Sequence, residues 1–86
     1  MNLKVELMYT IITRDQCNFC DDVKALLRST ALPYTEYNVQ SHSSKWVLTL
    51  LKRSSITTLP QVFDSNGILI GGYTEIKELL EKKNEV

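Results

Sequence analysis

Cys17-Asn18-Phe19-Cys20 decides how the rest of the chain is read. These are its only two cysteines, three positions apart, between an apolar stretch from Val5 to Ile12 and a helix-patterned one from Asp21 to Leu27. A strand running into a helix that opens with C-x-x-C points to a redox site. Cys17 would then stand at the helix N-terminus, where unpaired N–H groups and the helix dipole favour a thiolate. Cys20, one turn along, is close enough to close a disulfide. Metal sites use the same spacing, so the motif alone leaves both chemistries open.

Working outward, 86 residues leave room for one small domain, expected to span 1–86. With 43% hydrophobic and 23% charged residues, a real but thin core is expected. Two cysteines this close constrain the unfolded chain little, so their spacing suits chemistry better than stability. Ten basic and ten acidic side chains cancel, and a nucleic-acid binder would show a basic excess. Met1-Asn2-Leu3-Lys4 lacks the charged-then-apolar pattern of a signal peptide, and no stretch approaches the roughly 18 apolar residues of a membrane span. A soluble protein of a reducing, cytoplasm-like compartment is expected, with no nucleic-acid or membrane partner.

In chain order, Leu3 to Tyr9 alternates and then turns apolar, which predicts a strand, with Thr10 to Gln16 as a loop carrying Arg14 and Asp15. Phe19, Val23, Leu26 and Leu27 predict one face of a helix, Asp21 and Asp22 fall in its first turn facing solvent, and Leu32-Pro33 breaks it. Tyr34 to Val39 reads as a second strand. Gln40 to Ser44 is a polar connector, in which His42 is solvated. Lys45 to Arg53 is a second helix whose inner face is Val47, Leu50 and Leu51. After the Ser54–Thr58 loop, Gln61-Val62-Phe63 is a third strand. Asp64-Ser65-Asn66-Gly67 is a turn whose Asn-Gly pair favours a tight hairpin. Ile68-Leu69-Ile70 is a fourth strand suited to burial on both faces. Gly71-Gly72 lets the chain turn, and Tyr73 to Lys83 is a third helix capped by Thr74, with Ile76, Leu79 and Leu80 inward. The order β-α-β-α-β-β-α, with a parallel first pair and an antiparallel last pair, predicts an α/β fold: a four-stranded mixed sheet flanked by three helices.

Three separated segments now match one family. Cys17-x-x-Cys20 at a helix start, Thr57-Thr58-Leu59-Pro60-Gln61-Val62-Phe63, and Gly71-Gly72-Tyr73-Thr74 together resemble the glutaredoxins, in order and spacing over nearly the whole chain. The short proteins of bacteria and large phages are the most similar in pattern. The resemblance implies a thioredoxin-like fold and a dithiol, glutathione-linked thiol-disulfide oxidoreductase. Cys17 would be the nucleophile and Cys20 the resolving thiol. It implies that Pro60 is cis, presenting the main chain of Leu59 to a thiol substrate as a short added strand. It implies that Gly72, Tyr73 and Thr74 at the last helix start receive the γ-glutamyl carboxylate of glutathione. Arg14 stands where the family often has a lysine, Phe19 takes the place of the family's tyrosine, and Tyr9 and Phe19 are placed in the groove beside Thr58 and Leu59. No bound cofactor or metal is expected: glutathione is a co-substrate, the chain is a monomer, and the protein substrates are disulfide-containing or glutathionylated proteins, with ribonucleotide reductase a candidate.

Two positions depart from the family's pattern. Asn18 replaces the usual proline. Val47 falls near the second-helix residue that grips the glycine carboxylate of glutathione, with Lys45 and Lys52 as candidates to replace it. The missing second-helix ligand motivates one alternative, the same fold fed by thioredoxin reductase. The family's cluster-bridging members, which tend to have a small residue where Asn18 stands, supply a second, an iron–sulfur or metal carrier. The second needs a dimer, because two Cys and one distant His cannot complete a four-ligand site.

Overall fold

Thr10-Ile11-Ile12-Thr13 is wholly β-branched, and the structure places it at the centre of a sheet. The structure is a computed structural model and describes residues 8–84. Its elements are β1 (Tyr9–Thr13), α1 (Asn18–Ser29), β2 (Tyr34–Asn38), a 3₁₀ turn (His42–Ser44), α2 (Lys45–Arg53), β3 (Gln61–Phe63), β4 (Leu69–Gly71) and α3 (Tyr73–Asn84). The strands lie in the order β2-β1-β3-β4. β1 runs parallel to β2, with Tyr9 opposite Tyr34 and Thr13 opposite Asn38, and antiparallel to β3, with Ile11 opposite Val62. β3 and β4 are antiparallel. The expected element order and mixed four-stranded sheet are therefore present.

Alternation along β1 sorts the two cores. Tyr9 and Ile11 meet Val62, Val23 and Leu27 of α1, and Ile76 and Leu80 of α3, on one face of the sheet. Ile12 points to the other face, with Val39 and with Val47 and Leu51 of α2. A period of two in the strand thus meets helices from both sides. No helix among the described residues is long and apolar enough to cross a membrane.

Several expected boundaries move. The first strand is Tyr9–Thr13, so Thr10 to Thr13 is strand and not loop, and Leu3 to Leu7 lie outside the described residues. The reason is two-sided pairing: a central strand satisfies its polar backbone on both edges, so even Thr13 is fully buried. α1 ends at Ser29, ahead of Pro33, because Thr30 Oγ1 donates to the Leu26 carbonyl and Ala31 turns to φ 56°. The turn after β3 is organised by Asp64, whose carboxylate accepts from the Asn66 and Ile68 N–H groups, and only Gly67 takes a positive φ (81°). A two-residue type I′ hairpin would need positive φ at both central residues. β4 is an edge strand, so Ile68 and Leu69 are exposed instead of doubly buried. In α2, Val47 and Leu51 point inward and Leu50 is exposed. Tyr9 lies in the core and not in the groove. Asp21, Asp22 and His42 face solvent as expected.

Candidate active site

Cys17 is the N-cap of α1, extended at φ −127° and ψ 103°, and its Sγ accepts the Cys20 N–H at 3.1 Å. One orphan donor of the helix start is thereby aimed at the sulfur. Cys17 and Cys20 are joined as a disulfide, with Cα atoms 5.2 Å apart. Neither sulfur stands proud of the surface: Cys17 is 5% exposed and Cys20 1%. Cys17 lies against the loop that carries Leu59, whose carbonyl oxygen is 3.9 Å from Cys17 Sγ.

The Leu59–Pro60 peptide bond is cis. Gln61, whose side chain is buried, donates from Nε2 to the carbonyl and hydroxyl oxygens of Thr58 at 2.9 and 3.1 Å. These bonds tie the Thr58 turn to the start of β3. Neither the N–H nor the C=O of Leu59 forms a backbone hydrogen bond among the described residues. Beside Cys17 there is thus a short, unpaired length of main chain.

On one side of Leu59 a cleft of about 160 Å³ gathers Phe19, Thr58, Leu59, Pro60, Gly72, Tyr73 and Thr74. Segments more than 50 residues apart in sequence meet there. Phe19 is 61% exposed, off the buried face of α1 where the spacing had placed it, and its ring lies 6.1 Å from that of Tyr73. Cys20 fills the inward position of that first turn instead, a turn before Val23 and two before Leu27. On the other side of Leu59, a cleft of about 550 Å³ contains Arg14 and Lys52 over a wall including Val39, Leu51 and Ile56. Arg14 shares this cleft with Thr58 and Leu59 but lies apart from Phe19, Pro60, Gly72, Tyr73 and Thr74, and its Nη1 donates to the carbonyls of Asp15 and Gln16 at 3.1 Å each. Val47 is buried in the core, and of the two lysines weighed as its substitute only Lys52 borders this cleft.

Glu75 is the residue that reading the sequence missed. α3 starts at Tyr73, so Thr74 is inside the helix and not its cap. Gly72 precedes the helix, and its N–H donates to Glu75 Oε1 at 2.7 Å. This is the reach-back half of a capping box, and the spacing Gly72-x-x-Glu75 was its visible signal. Gly71, at φ 129°, makes room for it: a Cβ there would lie 2.7 Å from Glu75 Cγ.

Comparisons with known proteins agree with this geometry. The sequence model of the Glutaredoxin family matches residues 8–70. Glutaredoxin 3 of Escherichia coli strain K12 is 36% identical over 53 residues, which cover 62% of this chain and 63% of that protein. Among solved structures, glutaredoxin 1 of Francisella tularensis, complexed with cacodylate, superposes with a TM-score of 0.71 at 24% identity, covering 92% of this chain and 98% of that one. A buckwheat glutaredoxin–glutathione complex gives 0.72 at 23% identity, covering 87% and 69%. The fold is thioredoxin-like in each case. With a dithiol at a helix cap, a cis-proline beside it and a family match across most of its length, this chain belongs to the glutaredoxin family.

Proposed function

We propose that the chain is a dithiol thiol-disulfide oxidoreductase that uses glutathione as its reductant. The observation that carries this reading is Cys17 at the cap of α1, with a backbone N–H on its sulfur, Cys20 in bonding range and the unpaired main chain of Leu59 alongside. In the reduced protein the Cys17 thiolate attacks a substrate disulfide, forming a mixed disulfide and releasing one substrate thiolate. The Cys20 thiolate then attacks Cys17 Sγ and releases the second. The substrate gains two electrons, its two thiolates take up two protons, and Cys17–Cys20 is left oxidised. Two glutathione molecules return the protein to the dithiol and leave as glutathione disulfide.

Leu59 aligns the substrate by exchanging N–H···O=C bonds with it, as an added strand does. Pro60 ends this edge, because it has no N–H to offer. Gly72, Tyr73 and Thr74 receive the γ-glutamyl end of glutathione, while Arg14 and Lys52 attract its glycine carboxylate. The buckwheat relative is a complex with glutathione, which supports glutathione as the ligand class. Protein disulfides are the larger substrate class, with ribonucleotide reductase among the candidates. The cycle belongs in a reducing compartment.

The assay is NADPH oxidation with glutathione, glutathione reductase and hydroxyethyl disulfide. The expected result is activity in the wild type, loss in Cys17→Ser and partial retention in Cys20→Ser. A Cys17→Ser protein as active as the wild type sinks the assignment. Burial of Val47, which removes the usual second-helix ligand, favours a second reading in which thioredoxin reductase supplies the electrons. Replacing glutathione and its reductase by thioredoxin reductase in the same assay separates the two.

A further inference from the structure

The two clefts that flank Leu59 carry opposite charge. The larger is bordered by Arg14 and Lys52 and by no acidic residue. The smaller is bordered by Glu75 and by no basic residue. None of these three side chains is in an ion pair among the described residues. Arg14 Nη1 bonds only carbonyl oxygens, which leave its charge uncompensated, and Glu75 accepts one backbone N–H from Gly72. A substrate lying across Leu59 therefore meets positive potential at one end and negative potential at the other.

The hydrogen-bonding pattern orients it. Thr58 and Leu59 border both clefts, but Ile56 and Thr57 belong to the basic one and Pro60 and Gly72 to the acidic one. Pro60 offers no N–H, so pairing is confined to the N–H and C=O of Leu59. A single residue exchanges both bonds with one partner residue only in an antiparallel pair, since parallel pairing divides them between two. The substrate cysteine opposite Leu59 then sends its N-terminal neighbours toward Pro60 and Glu75. Its C-terminal neighbours run toward Thr57, Arg14 and Lys52.

We propose that this protein selects polypeptide disulfides by charge order: basic residues on the N-terminal side of the target cysteine and acidic residues on its C-terminal side. The inference rests on the reading of Leu59 as the substrate-pairing edge. Glu75 acts in it as a specificity determinant that touches substrate and takes no part in bond exchange.

The test uses the full chain, reduced beforehand and freed of glutathione. One synthetic peptide has two lysines before its single cysteine and two glutamates after it; the second has the same composition in reverse order. Each is supplied as its mixed disulfide with 2-mercaptoethanol, so the leaving thiol is uncharged. Cys17 and Cys20 provide the two electrons that turn each mixed disulfide into free peptide thiol and mercaptoethanol. Rates are followed by acid quench and mass spectrometry. One exposed charge pair is worth up to about fivefold, so the lysine-first peptide is expected to react about fivefold to tenfold faster at low salt. About 0.5 M NaCl should bring the ratio to within about twofold. Glu75→Gln, which keeps an oxygen for the Gly72 N–H, is expected to lower the ratio at low salt, as is Lys52→Gln. Equal rates, or a faster glutamate-first peptide, overturn the charge-order inference and leave the oxidoreductase reading standing. Reduction of neither peptide overturns both.

Discussion

The two sulfurs differ in what the backbone does for them. Cys17 Sγ receives the Cys20 N–H and lies against the Leu59 carbonyl, while Cys20 is the more deeply buried, at 1% exposure. A helix-start N–H stabilises negative charge on the first sulfur and has no counterpart on the second among the described residues. Cys17→Ser is therefore expected to lower hydroxyethyl disulfide turnover by about 10³-fold or more, as loss of a nucleophile does. Cys20→Ser should retain a measurable fraction, through direct resolution by glutathione. Gly71 makes a prediction of another kind. Its φ of 129° suits no side chain, and a Cβ would collide with Glu75. Gly71→Ala is expected to cost about 1–3 kcal/mol in urea unfolding. A variant as stable as the wild type would show that the β4–α3 corner adjusts freely.

At the scale of elements, the active-site loop is held at both ends. Thr13, at the end of β1, is fully buried and donates from Oγ1 to Glu36 Oε2 of β2 at 2.6 Å. Lys24 of α1 donates to the same oxygen at 3.2 Å. Three elements meet at one carboxylate just before the loop that leads to Cys17. Thr13→Val preserves shape and removes one charge-assisted hydrogen bond, so a loss of about 1.5–3 kcal/mol is expected in chemical denaturation. Asn18 is the first residue of α1, a position where proline's fixed φ is pre-organised and its missing N–H is an orphan in any case. Asn18→Pro is expected to stabilise the fold by about 0.4–1 kcal/mol. A lower melting temperature would show that the Asn18 side chain has structural work of its own.

At the scale of the molecule, one sheet separates two small cores, and the site lies where α1, the Leu59 loop and α3 converge. The disulfide adds little to this assembly because it spans only three positions. Chain-entropy reasoning assigns so short a loop about 2 kcal/mol at most. Oxidised and reduced protein should both unfold cooperatively, with melting temperatures within roughly 15 °C of each other by calorimetry. Unfolding on reduction would assign the bond a structural role and weaken the proposed redox cycle.

Local patterns sufficed for much of this. The C-x-x-C at a helix start, the spacing of Val23 and Leu27, and the Leu59-Pro60-Gln61-Val62-Phe63 run are contiguous in sequence, and each acts within a turn or strand of itself. The glycines at 71 and 72 likewise announce a corner. Position within the sheet is not local. Nothing near Thr10 says that it will be paired on both sides, or near Ile68 that β4 will be an edge, because strand order depends on partners far along the chain. Phe19 matched an apolar helix pattern but faces Tyr73 across a cleft that exists only when α1 and α3 pack side by side. The division of charge about Leu59 has the same origin. Arg14 and Lys52 stand out in sequence only by resemblance and Glu75 not at all, and only packing sets them on opposite sides of one unpaired stretch of main chain.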